Sequence, residues 1–127
     1  MQIADVSDKY GLSQDTLRYY ERIGLIPPVN RRPSGIRDYT EEDLRWVEFM
    51  ACMRSAGLSI EALIEYVALF RKGDQTKDAR RAILVQQRNA LAARIGELQQ
   101  TLDRLDMKIA RYYDGVAVAE QRLGRHA

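Results

Sequence analysis

The sequence predicts an all-α fold: a small helix-turn-helix unit carrying a short β-hairpin wing, followed by one long helix. Three observations predict it. Two short amphipathic stretches, around Val6 and around Leu17, are separated by Gly11. A basic turn, Asn30-Arg31-Arg32-Pro33-Ser34-Gly35, leads into the extended Ile36-Arg37-Asp38-Tyr39. From Leu91 to Ile109 apolar residues recur at alternating spacings of three and four, with Gly96 as the only isolated interruption.

The first helix is marked by Ile3, Ala4 and Val6 and ends at Lys9-Tyr10-Gly11, where glycine can take the left-handed turn. The second spans Ser13 to Glu21. Ser13 stands where an N-cap belongs, and Asp15 puts negative charge in the first turn, where the helix dipole favours it. At 100° per residue, Thr16, Leu17 and Tyr20 share one side, while Gln14, Asp15, Arg18, Tyr19 and Arg22 share the other. Such a helix is suited to phosphates and base edges. Taken alone it could equally be an ordinary charged surface helix, and its neighbours decide. Two short helices joined by a glycine turn form a helix-turn-helix, with the second helix as reader. Leu25-Ile26-Pro27-Pro28-Val29 stops that helix, because proline cannot continue it. The wing then carries Arg31, Arg32 and Arg37. From Arg18 to Arg37 there are five arginines and one acid, Glu21, so this stretch is +4 while the whole chain is only +2. The basic character is therefore local, and it falls on the reading helix and wing.

Thr40-Glu41-Glu42-Asp43 resembles a capping box that opens a helix running to Ser55. It has two apolar stripes, Leu44, Val47 and Ala51 on one and Trp46, Phe49, Met50 and Met53 on the other, so it is expected to lie between packing partners. Ala56-Gly57-Leu58 breaks the helix, and Ser59 caps a further helix whose Ile60, Leu63, Ile64, Val67 and Phe70 share a face. These elements make residues 1–71 the winged helix-turn-helix domain, with residues 72–76 as connector.

Residues 77–112 form the long helix, about 54 Å at 1.5 Å per residue. Leu91, Ile95, Leu98, Leu102, Leu105 and Ile109 make the seam of a coiled coil, and Arg88 interrupts it on the Leu84 side. Left in water, each such side chain forgoes roughly 1.5–3 kcal/mol. A homodimer is the simplest way to cover the row. The flanking residues Arg94, Thr101 and Lys108, and Ala92, Gln99 and Asp106, do not decide the strand direction. Residues 113–127 are left as a short C-terminal tail.

The blocks Thr16-Leu17-Arg18-Tyr19-Tyr20-Glu21, Ile23-Gly24-Leu25-Ile26-Pro27 and Gly35-Ile36-Arg37-Asp38-Tyr39 occur in this order. On them the chain resembles the MerR family of transcriptional regulators. Ile36 stands where the family usually has an aromatic residue. The resemblance implies phosphate or base contacts by Arg18 and Tyr19 and phosphate contacts by Arg37 and Tyr39, beside which Gln14, Arg22, Arg31 and Arg32 complete the expected DNA-binding set. It also implies that the long helices pair antiparallel and hold two reading helices across a two-fold axis on a palindromic promoter. In the family such dimers bend and untwist an over-long promoter spacer, which brings the promoter elements into register for RNA polymerase. That deformation costs a few kcal/mol, so a modest effector-linked change can switch transcription.

Metal-sensing relatives carry cysteines after the long helix, but residues 113–127 have none, and the single histidine, His126, stands at the end. One Cys and one His cannot assemble three or four soft ligands, so no metal and no cofactor is expected. Cys52 lies between the two apolar stripes of its helix, near Arg45 and Glu48. A lone cysteine is often a small buried hydrophobe. The run Trp46 to Ser59, around Met50-Ala51-Cys52-Met53-Arg54, also resembles a MerR subgroup with one cysteine here, associated with aldehydes, other electrophiles and thiol-oxidising stress. Cys52 is thus a candidate effector site for a small electrophile. A thiol enzyme would need a second Cys or a well-placed His, and the sequence offers neither. A coiled-coil adaptor would explain residues 76–112 but not the Arg-Tyr-Tyr helix and basic wing. With no run of 18 apolar residues and no signal segment, a cytoplasmic protein without membrane contact is expected.

Overall fold

Ser13, Thr40 and Ser59 each open a helix with a side-chain cap, and the elements follow in the expected order. A computed structural model describes residues 1–125. It contains α1 (Ile3–Tyr10), α2 (Gln14–Arg22), α3 (Glu41–Ser55), α4 (Ile60–Lys72), a 3-10 turn at Asp74–Thr76, α5 (Lys77–Ala110) and α6 (Val116–Gln121). Ser13 accepts the Thr16 N–H at 3.0 Å, and Ser59 accepts that of Ala62 at 3.1 Å. At α3 the capping box is complete: Thr40 Oγ1 accepts from Asp43 N–H, and Asp43 returns a carboxylate oxygen to Thr40 N–H. α1 ends on Gly11 at φ 69°, a left-handed geometry that favours glycine, and the turn into α2 follows from it.

The chain divides into two compact units, Met1–Gln87 and the residues from Arg88 onward. In the first, Val6, Leu17, Tyr20, Leu25, Ile26, Val47, Met50 and Leu63 are all but fully buried in one core. Arg71 of α4 donates to the Gly24 carbonyl at 2.9 Å and so ties the loop after the reading helix to α4. The first turns of α5 belong to this unit. Ile83 is buried, Leu84 packs against the core, and the Gln87 side chain accepts the Ser59 N–H at 3.0 Å. Leu84 is therefore a core residue, and the exposed seam begins after it.

The wing is smaller than a two-stranded hairpin. A single antiparallel bridge joins Arg31 and Arg37, flanked by Arg32 N–H to Ile36 O at 2.8 Å and Asp38 N–H to Asn30 O at 2.7 Å. Gly35, at φ 90°, gives its N–H to the Arg32 carbonyl and closes the turn.

In the second unit, Leu91, Ile95, Leu98, Leu102, Leu105 and Ile109 are each 50–72% exposed. α5 stops at Ala110, two residues short of the expected end, and the stretch expected as a plain tail contains α6. The turn at 111–115 is stabilised locally: Gly115 N–H reaches the Arg111 carbonyl at 2.8 Å, Ala117 N–H that of Tyr112, and the Tyr112 hydroxyl donates to Glu120 at 2.9 Å. These short-range bonds leave no apolar periodicity, which is why the sequence pattern does not announce them. His126 lies outside the described residues.

Candidate nucleic-acid interface

The outer face of α2 is a preassembled cationic surface. Arg18 pairs with Asp15 at 3.1 Å and reaches the Gln14 side-chain oxygen at 3.4 Å, so its guanidinium lies along the helix. The Arg22 guanidinium sits 5.2 Å from the centre of the Tyr19 ring. Asp15, Thr16, Arg18, Tyr19 and Arg22 line one shallow depression. Thr16, on the same side of the helical wheel as Leu17 and Tyr20, is half-buried and borders this surface. The Ser13 hydroxyl donates to it at 2.8 Å and draws it toward the helix start. Tyr20 is core, as its shared side with Leu17 implies.

Glu21 couples this helix to the wing. One carboxylate oxygen accepts from Arg37 Nε at 2.8 Å, and the other accepts the Val29 N–H at 3.2 Å. The pair is largely withdrawn from water, with side-chain exposures of 22% for Arg37 and 14% for Glu21. Read from sequence, Glu21 is merely the one acid in a basic run; in the fold it orients Arg37 and the wing. Arg31 donates to the Gly35 carbonyl at 2.7 Å, and Arg32 stands 3.7 Å from Asp38. The Asp38 carboxyl is held below its ordinary range, chiefly by the hydrogen bond from the Met1 amino group. Arg22, Arg31 and Arg32 are exposed, and among the described residues Arg22 and Arg31 have no carboxylate partner.

Tyr39, expected to meet a phosphate, is buried in the free protein. Its ring is only 3% exposed, and its hydroxyl is buried without a hydrogen-bond partner. Burial, the largest influence, raises its pKa, while the charges of Arg37, Glu21, Asp43 and Arg18 act on it from around. The ring packs in the core because Tyr39 precedes the α3 cap and its N–H is held by the Met1 carbonyl at 2.8 Å.

Cys52 is exposed on α3, and its carbonyl accepts from the Ser55 hydroxyl and the Ala56 N–H. Arg54, its near neighbour in sequence, is turned to the Leu58 carbonyl at 2.5 Å. Among the described residues no cluster of His, Cys, Asp and Glu could hold a metal ion, and no helix is long and apolar enough to cross a membrane.

The family models for "MerR HTH family regulatory protein" and "MerR, DNA binding" match residues 1–69 and 44–108 respectively. The chain belongs to the MerR family. It is a DNA-binding transcriptional regulator, not an enzyme. It is 63% identical over 91 residues to the HTH-type transcriptional regulator AdhR of Bacillus subtilis, covering 72% of this chain and 65% of the length of AdhR. Over 95% of this chain and 92% of the other, a MerR family regulator from Listeria monocytogenes superposes with a TM-score of 0.72 at 53% identity. HiNmlR, described as lacking the sensor domain and solved bound to promoter DNA, superposes with a TM-score of 0.65 at 31% identity over 93% of this chain and 94% of its own. This MerR regulator thus fits the subgroup typified by AdhR and NmlR.

Proposed function

We propose that this MerR regulator acts as a homodimer on a palindromic promoter site. Residues 1–71 read DNA, 72–76 connect, and 77–112 pair with a second copy through Leu91, Ile95, Leu98, Leu102, Leu105 and Ile109. The pairing is antiparallel, as the resemblance implies, and distorts the promoter spacer for RNA polymerase. Its place of action is the cytoplasm, beside the DNA it reads. The observation that carries the DNA reading is the Glu21–Arg37 clamp, which joins a cationic reading helix to a basic wing in one surface. Gln14, Arg18, Tyr19 and Arg22 meet the duplex from α2, and Arg31, Arg32 and Arg37 meet phosphates from the wing. Tyr39 contributes differently. Duplex binding must first uncover its hydroxyl, buried and unpartnered in the free protein, for a phosphate to supply the missing partner. A salt titration of duplex binding tests the set: affinity falls steeply with salt, and Arg18→Ala flattens the slope by about one unit. An unchanged slope removes Arg18 from the phosphate contacts.

For the effector, Cys52 is the proposed site of a small electrophile. The exposure of its side chain and the resemblance to single-cysteine regulators support this reading. With an aldehyde, the thiol adds across the carbonyl: sulfur bonds carbon, the proton passes to oxygen, and a hemithioacetal forms with nothing released. Cys52→Ser is expected to abolish induction by formaldehyde and methylglyoxal while leaving basal DNA binding intact. Induction that survives the substitution makes Cys52 a structural residue.

A further inference from the structure

The first unit holds a cavity that none of the proposed DNA-contact residues line. It lies between α3, α4 and the first turn of α5 and measures about 450 Å³, within the usual size of small-ligand pockets. Four aromatic rings wall it. Trp46 and Phe70 meet edge to face at 5.6 Å, and Phe49 and Tyr66 lie tilted at 5.9 Å. Phe49 and Phe70 remain 38% and 47% exposed, so both rings present open surface.

Arg80 adds a charge to this open apolar pocket. Its guanidinium stands 5.4 Å from the centre of the Phe70 ring, and its Nε donates to the Thr76 hydroxyl at 3.0 Å. Thr76 is nearly buried, and its hydroxyl also reaches the Leu69 and Gly73 carbonyls at 2.8 Å, so the anchor is itself fixed. Among the described residues no carboxylate pairs with Arg80. An oriented guanidinium with its two terminal nitrogens unspent recognises a carboxylate in fork geometry. Arg45 lies on the same lining and reinforces the positive side. Glu42, also on the lining, is an unfavourable neighbour for a second negative charge.

We propose that this cavity binds a small monoanionic aromatic carboxylate, its ring among Trp46, Phe49, Tyr66 and Phe70 and its carboxylate on Arg80. The site is separate from the DNA-reading face and does not require Cys52, so it would give the regulator a reversible, non-covalent ligand.

Trp46 is the only tryptophan of the chain, so its fluorescence reports the cavity directly. Titration of the full-length protein with phenylacetate is expected to give a saturable change, with phenylacetamide at least about tenfold weaker and acetate silent. Arg80→Met, which keeps the packing on Phe70, is expected to erase the preference for acid over amide. Phe49→Ala is expected to weaken both ligands, and Cys52→Ser to change neither. A flat titration into the millimolar range, or equal affinity for acid and amide, overturns the proposal. So does a response that appears only in Leu102→Glu, a variant aimed at the pairing seam, since the cavity is then filled by a second copy of the chain.

Discussion

Glu21 ties the proposed reading helix to the wing. Its two oxygens hold the wing through Arg37 and the following loop through Val29. Glu21→Gln keeps the shape but loses the charge-assisted bond, so we expect about 1–2 kcal/mol less stability in denaturant unfolding. Duplex affinity should fall with it, because Arg37 is no longer aimed; a variant as stable and as tight-binding as the parent would separate the clamp from function. Tyr39→Phe should behave in the opposite way. It removes a buried hydroxyl that has no partner, so the melting temperature should stay level or rise, while duplex affinity should drop about two- to tenfold if that hydroxyl meets a phosphate. Equal affinity would confine Tyr39 to packing. The same residue has a pH signature. Burial lifts its pKa above 10.0, so folding favours the neutral phenol. Its contribution is complete below pH 10 and is lost as pH rises through the folded value. Tyr39→Phe should lack that part of the alkaline loss.

The helices were legible where their causes are local. Ser13, Thr40 and Ser59 each sit directly before an amphipathic run, and each makes the expected cap. Ser13→Ala should cost about 1 kcal/mol, read as a lower unfolding midpoint without a change in slope. The faces of α3 and α4 were only half legible. A helical wheel groups Phe49 with Met50 and Phe70 with Val67, but it does not say how far a neighbouring helix extends. Met50 and Val67 are covered, while Phe49 and Phe70 line a cavity. The wing arginines were visible as charge, yet the role of Glu21 was not, because its partner lies 16 residues away. In α5, Gly96 falls off the apolar seam, and a Cβ there would meet nothing within 4 Å. Gly96→Ala should therefore raise helix stability by up to about 1 kcal/mol, seen as a higher melting temperature. A fall would place Gly96 in a contact that the isolated helix lacks.

At the scale of the whole molecule, six seam residues with half or more of their surface in water are the strongest statement the chain makes about company. A regular three-and-four stripe of this length argues for a helical partner rather than for scattered surface apolarity. The sequence showed that stripe plainly, since its period is carried by the residues themselves. It could not show strand direction, which depends on charges across an interface that the flanking residues leave ambiguous. In the proposed dimer, pairing also sets the DNA site, because two reading helices related by a two-fold axis demand two half-sites. The most direct test is the mass of the complex formed on a duplex from upstream of the protein's own gene, measured by sedimentation equilibrium. The account predicts two chains per duplex, reduced to weak or no binding by Leu102→Glu; a single chain bound with full affinity, or a complex indifferent to Leu102→Glu, would contradict it.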